Sequence, residues 1–174
     1  MQRLNINDVI NQAKFNSFHF WIVFWCGIAI MFDGYDLVIY GTALPILIDE
    51  WSMSPAQAGA LGSYALIGMA FGALIFGTAA DKYGRKNVIL LCVAIFSLFT
   101  GLIAFSDNPT QFAIYRFIAG LGLGGVMPNA VALTSEYAPQ FLRSTLVGIM
   151  FSGYSLGGML SAALGIIPLP KFGW

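Results

Sequence analysis

The amino-acid sequence predicts an all-α membrane protein, a polytopic bundle of helices that cross a lipid bilayer. Hydrophobic residues make up 58% of the chain and charged residues only 9%, whereas soluble domains carry about 25% charged residues. Five stretches are long and apolar enough to span the hydrocarbon core, which takes roughly 20 residues of helix. So few charges cannot cover a water-facing surface, and a membrane location is therefore expected.

The same composition excludes several classes of function. The net charge is zero, so no basic surface for nucleic acid is indicated. Cys26 and Cys92 lie in apolar stretches and His19 is the only histidine, which argues against a metal site or a disulfide framework. We expect no cofactor, no metal and no enzymatic activity. A small five-span scaffold or membrane enzyme is the alternative from another functional class.

The first predicted span covers residues 18–48 and contains the motif DGYD, with Asp33 and Asp36. Two shorter helices separated at this motif would hardly cross the bilayer, and their loop would leave backbone groups without hydrogen bonds in lipid. One long helix is therefore predicted. Residues 1–17 are polar and lack the apolar core of a signal peptide, so they are predicted to form a cytoplasmic tail before a bundle of residues 18–174.

The second span begins with a helix-start signal. Ser54 is the expected N-cap, Pro55 the first helical residue and Gln57 the partner in a capping box. The span then continues without charge to Ala80. Turn residues and prolines separate the remaining apolar stretches. The third, fourth and fifth spans are predicted at residues 87–105, 110–133 and 146–167.

Lys and Arg are distributed unequally between the predicted loops. Lys82, Arg85 and Lys86 lie in the second loop and Arg143 in the fourth, whereas the first and third loops contain neither residue type. Short cytoplasmic loops carry an excess of Lys and Arg. The second and fourth loops, and with them the N-terminus, are therefore predicted to face the cytoplasm.

Two acidic residues lie inside the first span, where a charge is costly and mostly has a function. Asp33 and Asp36 are three residues apart, so a helix places them on one face, with Asp33 roughly 22 Å from the helix start. A carboxylate withdrawn from water binds a proton more readily. Both residues are therefore candidates for proton coupling. The alternative is that they cap a bent helix or lie near the outer surface.

Arg116 is the one charged residue inside the fourth span. Because arginine does not lose its proton, it needs an anion, either a carboxylate of the protein or one on a substrate. The alternative is that its side chain reaches the outer headgroups. In transporters built from three-helix inverted repeats, the first and fourth spans are equivalent, and here these two spans alone carry internal charge.

A polar cluster is predicted on the cytoplasmic side, where Gly84 allows a very short turn between two helices. Asp81 precedes this turn beside Arg85, and the next inner loop offers Glu136 and Arg143. Ion pairs between the two loops would latch one conformation and release another. The alternative is that the basic residues only set the membrane orientation.

Glycines four residues apart recur in three spans, and such spacing lets helix backbones approach closely in lipid. They are Gly68 and Gly72, Gly120 and Gly124, and Gly153 and Gly157.

Three motifs resemble a known family. The segment GTAADKYGRK is similar to the loop signature of the major facilitator superfamily between helices two and three, with Ala79 in place of the usual leucine. The positions that match are Gly77, Asp81, Lys82, Gly84, Arg85 and Lys86. The segment RFIAGLGLGG resembles the fourth-helix signature of this family at Arg116, Gly120, Gly122 and Gly124. Within the family, DGYDLVIYG resembles the aromatic acid:proton symporters, the bacterial permeases for benzoate and 4-hydroxybenzoate.

The resemblance implies twelve helices in two halves, with the substrate site between the halves. This chain would supply five of the six helices of the N-terminal half and would lack the C-terminal half of the same polypeptide. It would lie in the bacterial inner membrane and import an aromatic carboxylate with protons by alternating access. A muconate-type dicarboxylate or an exported drug is the alternative cargo.

The resemblance and the residues together assign the candidate site. Asp33 and Asp36 would couple protons, and Arg116 would bind the substrate carboxylate together with these two acids. The gating loop would comprise Gly77, Asp81, Gly84, Arg85, Lys86, Glu136 and Arg143. The expected partners are a small aromatic acid, protons, the lipid bilayer and the missing half.

Overall fold

The computed structural model describes residues 14–166, which form five α-helices joined by short turns and contain no β-strand. Most of the predicted tail (1–17) and the end of the predicted bundle (up to 174) lie outside the described residues. All five helices are long and apolar enough to cross a membrane, so the predicted fold class is confirmed. They are α1 (Ser17–Glu50), α2 (Pro55–Tyr83), α3 (Arg85–Ile103), α4 (Pro109–Tyr137) and α5 (Arg143–Ile166).

Helix α1 is one continuous helix of 34 residues that runs through the DGYD motif, as predicted. It begins with a capping box between Asn16 and His19, and it contains Pro45 near its end. At 1.5 Å per residue it is about 50 Å long, longer than the roughly 30 Å hydrocarbon core. The two aspartates therefore lie within a helix and not in a loop.

The start of α2 also follows the prediction. The Ser54 hydroxyl accepts a hydrogen bond from the Gln57 backbone N–H, and the Gln57 side chain accepts one from the Ser54 N–H at 2.9 Å. At the other end, Gly84 alone separates α2 from α3, with a φ of 86°. A residue with a Cβ rarely adopts this conformation, so glycine allows the tight turn.

The turn between α4 and α5 is shorter than predicted. Helix α4 continues beyond its predicted end at residue 133 and stops at Tyr137. It stops there because the next residue, Ala138, precedes a proline, and such a position disfavours helical backbone angles. Glu136 therefore lies in the last turn of α4, and Arg143 is the first residue of α5. The sequence analysis instead predicts both residues in a loop.

The most extensive helix contacts join α2 to α4, α1 to α5 and α3 to α4. If α1 corresponds to α4 and α2 corresponds to α5, then the α2–α4 pair corresponds to the α5–α1 pair. This relationship is the one expected of two three-helix repeats. Each helix of these two pairs thus packs mainly against a helix of the other repeat.

Glycines make both of these interfaces close. A Cβ placed on Gly72 would overlap the Leu121 carbonyl between α2 and α4, and one on Gly157 would overlap the Met31 carbonyl between α1 and α5. The prediction of tight packing at the spaced glycines is confirmed. Helix α4 lies at the centre of the bundle, since it is the most buried of the five described helices.

Candidate functional site

A buried ion pair joins α1 to α4. The Nη1 atom of Arg116 donates to both carboxylate oxygens of Asp36, at 3.0 and 3.1 Å. The side chains are only 5% and 8% exposed. Of the two anions considered for Arg116, the structure supplies the protein carboxylate. The side chain is buried, which rules out the alternative that it reaches the outer headgroups in this structure.

Only part of the guanidinium is engaged by this pair. The Nε atom of Arg116 is buried and makes no hydrogen bond with any residue that the structure describes. One nitrogen serves both oxygens of Asp36, so this pair leaves the Nε atom unengaged. A carboxylate suits the Nε edge, since guanidinium binds planar anions through two neighbouring nitrogens.

Asp33 has different surroundings from Asp36. It is only 1% exposed, and neither of its carboxylate oxygens forms a hydrogen bond within residues 14–166. Asp36 and Tyr154 lie within electrostatic range of it. The sequence analysis predicts the same role for both acids, but only Asp36 is hydrogen-bonded to Arg116. An ionised carboxylate without donors is costly in such a site, whereas a neutral carboxyl group is better tolerated.

The ring of Tyr40 covers the ion pair. The guanidinium carbon of Arg116 lies 4.6 Å from the centroid of this ring, which is a cation–π geometry. The Tyr40 hydroxyl donates to the Ala58 carbonyl of α2 at 2.5 Å. Sequence reasoning missed Tyr40, although it follows Asp36 by four residues and thus shares its helix face.

A cavity of about 270 Å³ lies between α1, α3 and α4. Its lining includes Phe32, Tyr35 and Phe96, together with Asp36 and the hydroxyl-bearing Thr100. Neither Asp33 nor Arg116 lines it. The described lining contains a carboxylate and no cation, so this cavity alone does not suit a carboxylate ligand.

The cytoplasmic cluster forms around Arg85, the first residue of α3. Its Nε atom donates to Oε1 of Glu136 at 2.5 Å, and its Nη2 atom donates to Oδ1 of Asp81 at 3.3 Å. Both acidic side chains are at least half exposed. Arg85 therefore links the end of α2 to the end of α4, as predicted for ion pairs between the two inner loops.

The two ion pairs of Arg85 do not include the other residues assigned to the gating loop. Lys86 is exposed near the start of α3, and Arg143 begins α5. A Cβ on Gly77 or on Gly84 would meet no described atom within 4 Å. Packing within residues 14–166 therefore does not require glycine at position 77, whereas the turn requires it at position 84.

Asn129 is a second residue that the sequence analysis missed. It is fully buried in α4, directly after Pro128, and its Nδ2 atom donates to the carbonyls of Gly125 and Phe76. The second bond crosses to α2. A polar residue beside a proline in mid-span was the available signal, because an amide in lipid must find partners.

The sequence profile of the Major Facilitator Superfamily matches residues 26–174. This match covers most of the chain, including α2 to α4 and the Asp36–Arg116 pair. The chain belongs to the major facilitator superfamily. It is accordingly a multi-pass membrane protein, and the family that its motifs resemble is confirmed.

Three curated members of the superfamily are similar to this chain. The benzoate transport protein of Acinetobacter baylyi is 53% identical over 99% of the chain, and the gentisate transporter of Corynebacterium glutamicum is 44% identical over 83%. The 4-hydroxybenzoate transporter PcaK of Pseudomonas aeruginosa is 42% identical over the whole chain. The chain spans only 38%, 33% and 39% of the lengths of these relatives. All three are named as transporters.

Proposed function

We propose that this chain is the N-terminal part of a proton-coupled importer of aromatic carboxylates, such as benzoate or a hydroxybenzoate, that works by alternating access. The observation that carries the proposal is the buried Asp36–Arg116 pair with its unengaged Nε atom. A buried guanidinium that keeps an unengaged N–H donor is suited to hold a small organic anion. The names of the three relatives point to the same class of substrate.

The substrate carboxylate binds to the Nε edge of Arg116 while Nη1 stays on Asp36. In this arrangement one guanidinium lies between two carboxylates. Asp36 orients the guanidinium, and the substrate carboxylate accepts the hydrogen bonds that Asp36 leaves unmade. The aromatic ring is expected to pack against the rest of the transporter. That part, the C-terminal half of the same polypeptide, closes the substrate site from the other side.

Asp33 carries the coupled proton. Its carboxylate oxygens have no hydrogen-bond donors within residues 14–166. The ionised form is therefore not stabilised by any described donor, and protonation removes its charge. Asp36 is paired with Arg116 and acts mainly in substrate binding. This assignment separates two roles that the sequence analysis predicts jointly for Asp33 and Asp36.

The cytoplasmic cluster acts as the latch between conformations. Arg85 holds Asp81 and Glu136 together, and rearrangement of these exposed ion pairs costs little free energy. Such pairs suit a contact that must form and break in every transport cycle. The remaining members of the proposed loop are Gly77, Gly84, Lys86 and Arg143.

The protein resides in the bacterial inner membrane with its N-terminus in the cytoplasm. The turn at Gly84 is flanked by Lys82, Arg85 and Lys86, whereas the turns after α1 and α3 contain no Lys or Arg. This distribution follows the positive-inside rule for short loops.

Uptake of radiolabelled benzoate by cells that express the complete transporter tests the proposal. We expect uptake that depends on the pH gradient and that unlabelled 4-hydroxybenzoate inhibits. Uptake of radiolabelled muconate without uptake of benzoate would support the dicarboxylate alternative. Efflux of a drug without uptake of any acid would indicate an exporter. No transport at all would favour a scaffold and would contradict the proposal.

A further inference from the structure

We propose that Tyr40 is a positioning residue, which fixes the guanidinium plane of Arg116 so that its Nε edge faces the substrate carboxylate. The inference deepens the proposed function and rests on it for the identity of the substrate. The contact itself is independent of that function. It is formed by one aromatic side chain held from two sides by neighbouring helices.

The first support is the contact with Arg116. The guanidinium carbon lies 4.6 Å from the Tyr40 ring centroid, and the arginine side chain is only 5% exposed. A cation–π contact is strongest when water is excluded. Since Asp36 lies one turn before Tyr40 on α1, these two side chains both contact the guanidinium, one at Nη1 and the other with its ring centroid 4.6 Å from the central carbon.

The second support is the way in which the ring itself is held. Its hydroxyl donates to the carbonyl of Ala58, a fully buried residue in the first turn of α2. The ring also fits against Gly62, where an added Cβ would come within 2.6 Å of the Tyr40 Cε1 atom. Its centroid lies 6.3 Å from that of Phe112 in α4. The ring therefore has one well-defined position.

These contacts give Tyr40 a role that other nearby tyrosines lack. Tyr115 precedes Arg116 in α4, but its hydroxyl is bonded to Gln111 and its ring lies near Phe99 of α3. It is similar in size and depth and does not touch the guanidinium. Tyr115 is thus a matched control for the loss of an aromatic ring beside the site.

The substitutions Tyr40→Leu, Tyr40→Phe and Tyr115→Leu test the inference in the complete transporter. For Tyr40→Leu we expect KM for benzoate to rise about tenfold, with a smaller change in maximal rate, because a desolvated cation–π contact of this kind is lost. Tyr40→Phe keeps the ring and should keep most of the affinity. Tyr115→Leu should leave KM unchanged. A normal KM for Tyr40→Leu would overturn the inference.

A second pair of variants disturbs the ring without removing it. Gly62→Ala pushes a methyl group into the Tyr40 ring, whereas Gly59→Ala, on the same helix, meets no described atom within 4 Å. We expect Gly62→Ala to reproduce the raised KM and Gly59→Ala to match the unsubstituted protein. Equal KM values for the two variants, with normal amounts of protein in the membrane, would contradict the proposal.

A spectroscopic measurement tests the contact between Tyr40 and Arg116 in variants that do not transport. In purified transporter in nanodiscs, the Nε–H proton of Arg116 should resonate upfield because of the Tyr40 ring current. Tyr40→Leu should abolish this shift, and Tyr40→Phe should preserve it. If the unsubstituted protein takes up no benzoate, the proposed substrate is wrong. An unshifted Nε–H signal would instead refute the placement of Tyr40 on Arg116.

Discussion

Arg116 binds Asp36 through a single nitrogen, which lies 3.0 and 3.1 Å from the two carboxylate oxygens. The ion pair therefore needs only a point charge at the position of Nη1. The rest of the guanidinium is not required to hold α4 against α1. This separation of roles makes the folding and the substrate-binding contributions of Arg116 experimentally distinguishable.

Arg116→Lys should fold but bind substrate poorly. An ammonium group can contact both oxygens of Asp36, yet it offers no second edge for a planar carboxylate. We expect normal amounts of protein in the membrane and a rise of about tenfold or more in KM for benzoate. Arg116→Ala should lose both properties. Wild-type affinity in Arg116→Lys would show that the Nε edge does not bind substrate.

Asp36→Asn should destabilise the protein because it leaves the buried Arg116 without its counter-charge. Loss of one partner in a buried pair costs about 3–5 kcal/mol. Combining it with Arg116→Gln removes the unpaired charge and should restore much of the stability without restoring transport. Thermal unfolding of the purified variants measures this. A double variant less stable than Asp36→Asn alone would contradict the assigned pairing.

Asp33→Asn should leave the fold intact but uncouple transport. The carboxylate oxygens of Asp33 have no hydrogen-bond donor within residues 14–166, so a neutral amide of similar shape fits the same site. We expect normal expression, loss of uphill accumulation driven by a pH gradient, and retained exchange of preloaded benzoate. Asp107→Asn, in the turn between α3 and α4, is the control. Accumulation by Asp33→Asn would remove Asp33 as the proton carrier.

Gly72→Ala should weaken the contact between α2 and α4, because its methyl group would overlap the Leu121 carbonyl. Forcing the helices apart in this way costs about 1–3 kcal/mol. Gly77→Ala, five residues later on the same helix, meets no described atom within 4 Å and should leave the unfolding temperature unchanged. A comparison of the two unfolding temperatures in detergent measures this. Equal values would argue against close packing at Gly72.

The membrane orientation predicts which loops an impermeant reagent reaches. A cysteine in place of Asp107 should react with an impermeant thiol reagent added to intact cells. One in place of Lys82 should react only after the membrane is opened. Cys26 and Cys92 are buried and should not interfere. Labelling of position 82 from outside would reverse the orientation.

Much of the fold follows from the sequence because lipid imposes simple rules. Three features can be predicted from short stretches of sequence alone, and the structure contains all three. They are the five apolar spans, the capping box at Ser54 and the glycine turn at Gly84. The end of α4 could have been placed better, since Ala138 precedes a proline and this alone disfavours further helix.

The partner of Arg116 was harder to predict because it depends on the rotation and the height of two helices relative to each other. Asp33 and Asp36 point only about 60° apart on a helix of 3.6 residues per turn, so the sequence allows either to face α4. Packing of Gly34 against the Tyr154 carbonyl fixes the rotation of α1. That contact joins distant parts of the chain, and no local pattern reveals it.

The exchange of partners between the two repeats also sets an order of assembly. Helix α1 contacts α2 only slightly and packs mainly against α5, which the ribosome synthesises last among the described helices. During insertion, α1 must therefore remain in the membrane with its charged residues incompletely surrounded until α4 and α5 follow it. Arg116 and Asp36 cannot meet before α4 has been inserted. The protein is thus most vulnerable to misassembly and proteolysis early in its synthesis, before the ion pair has formed.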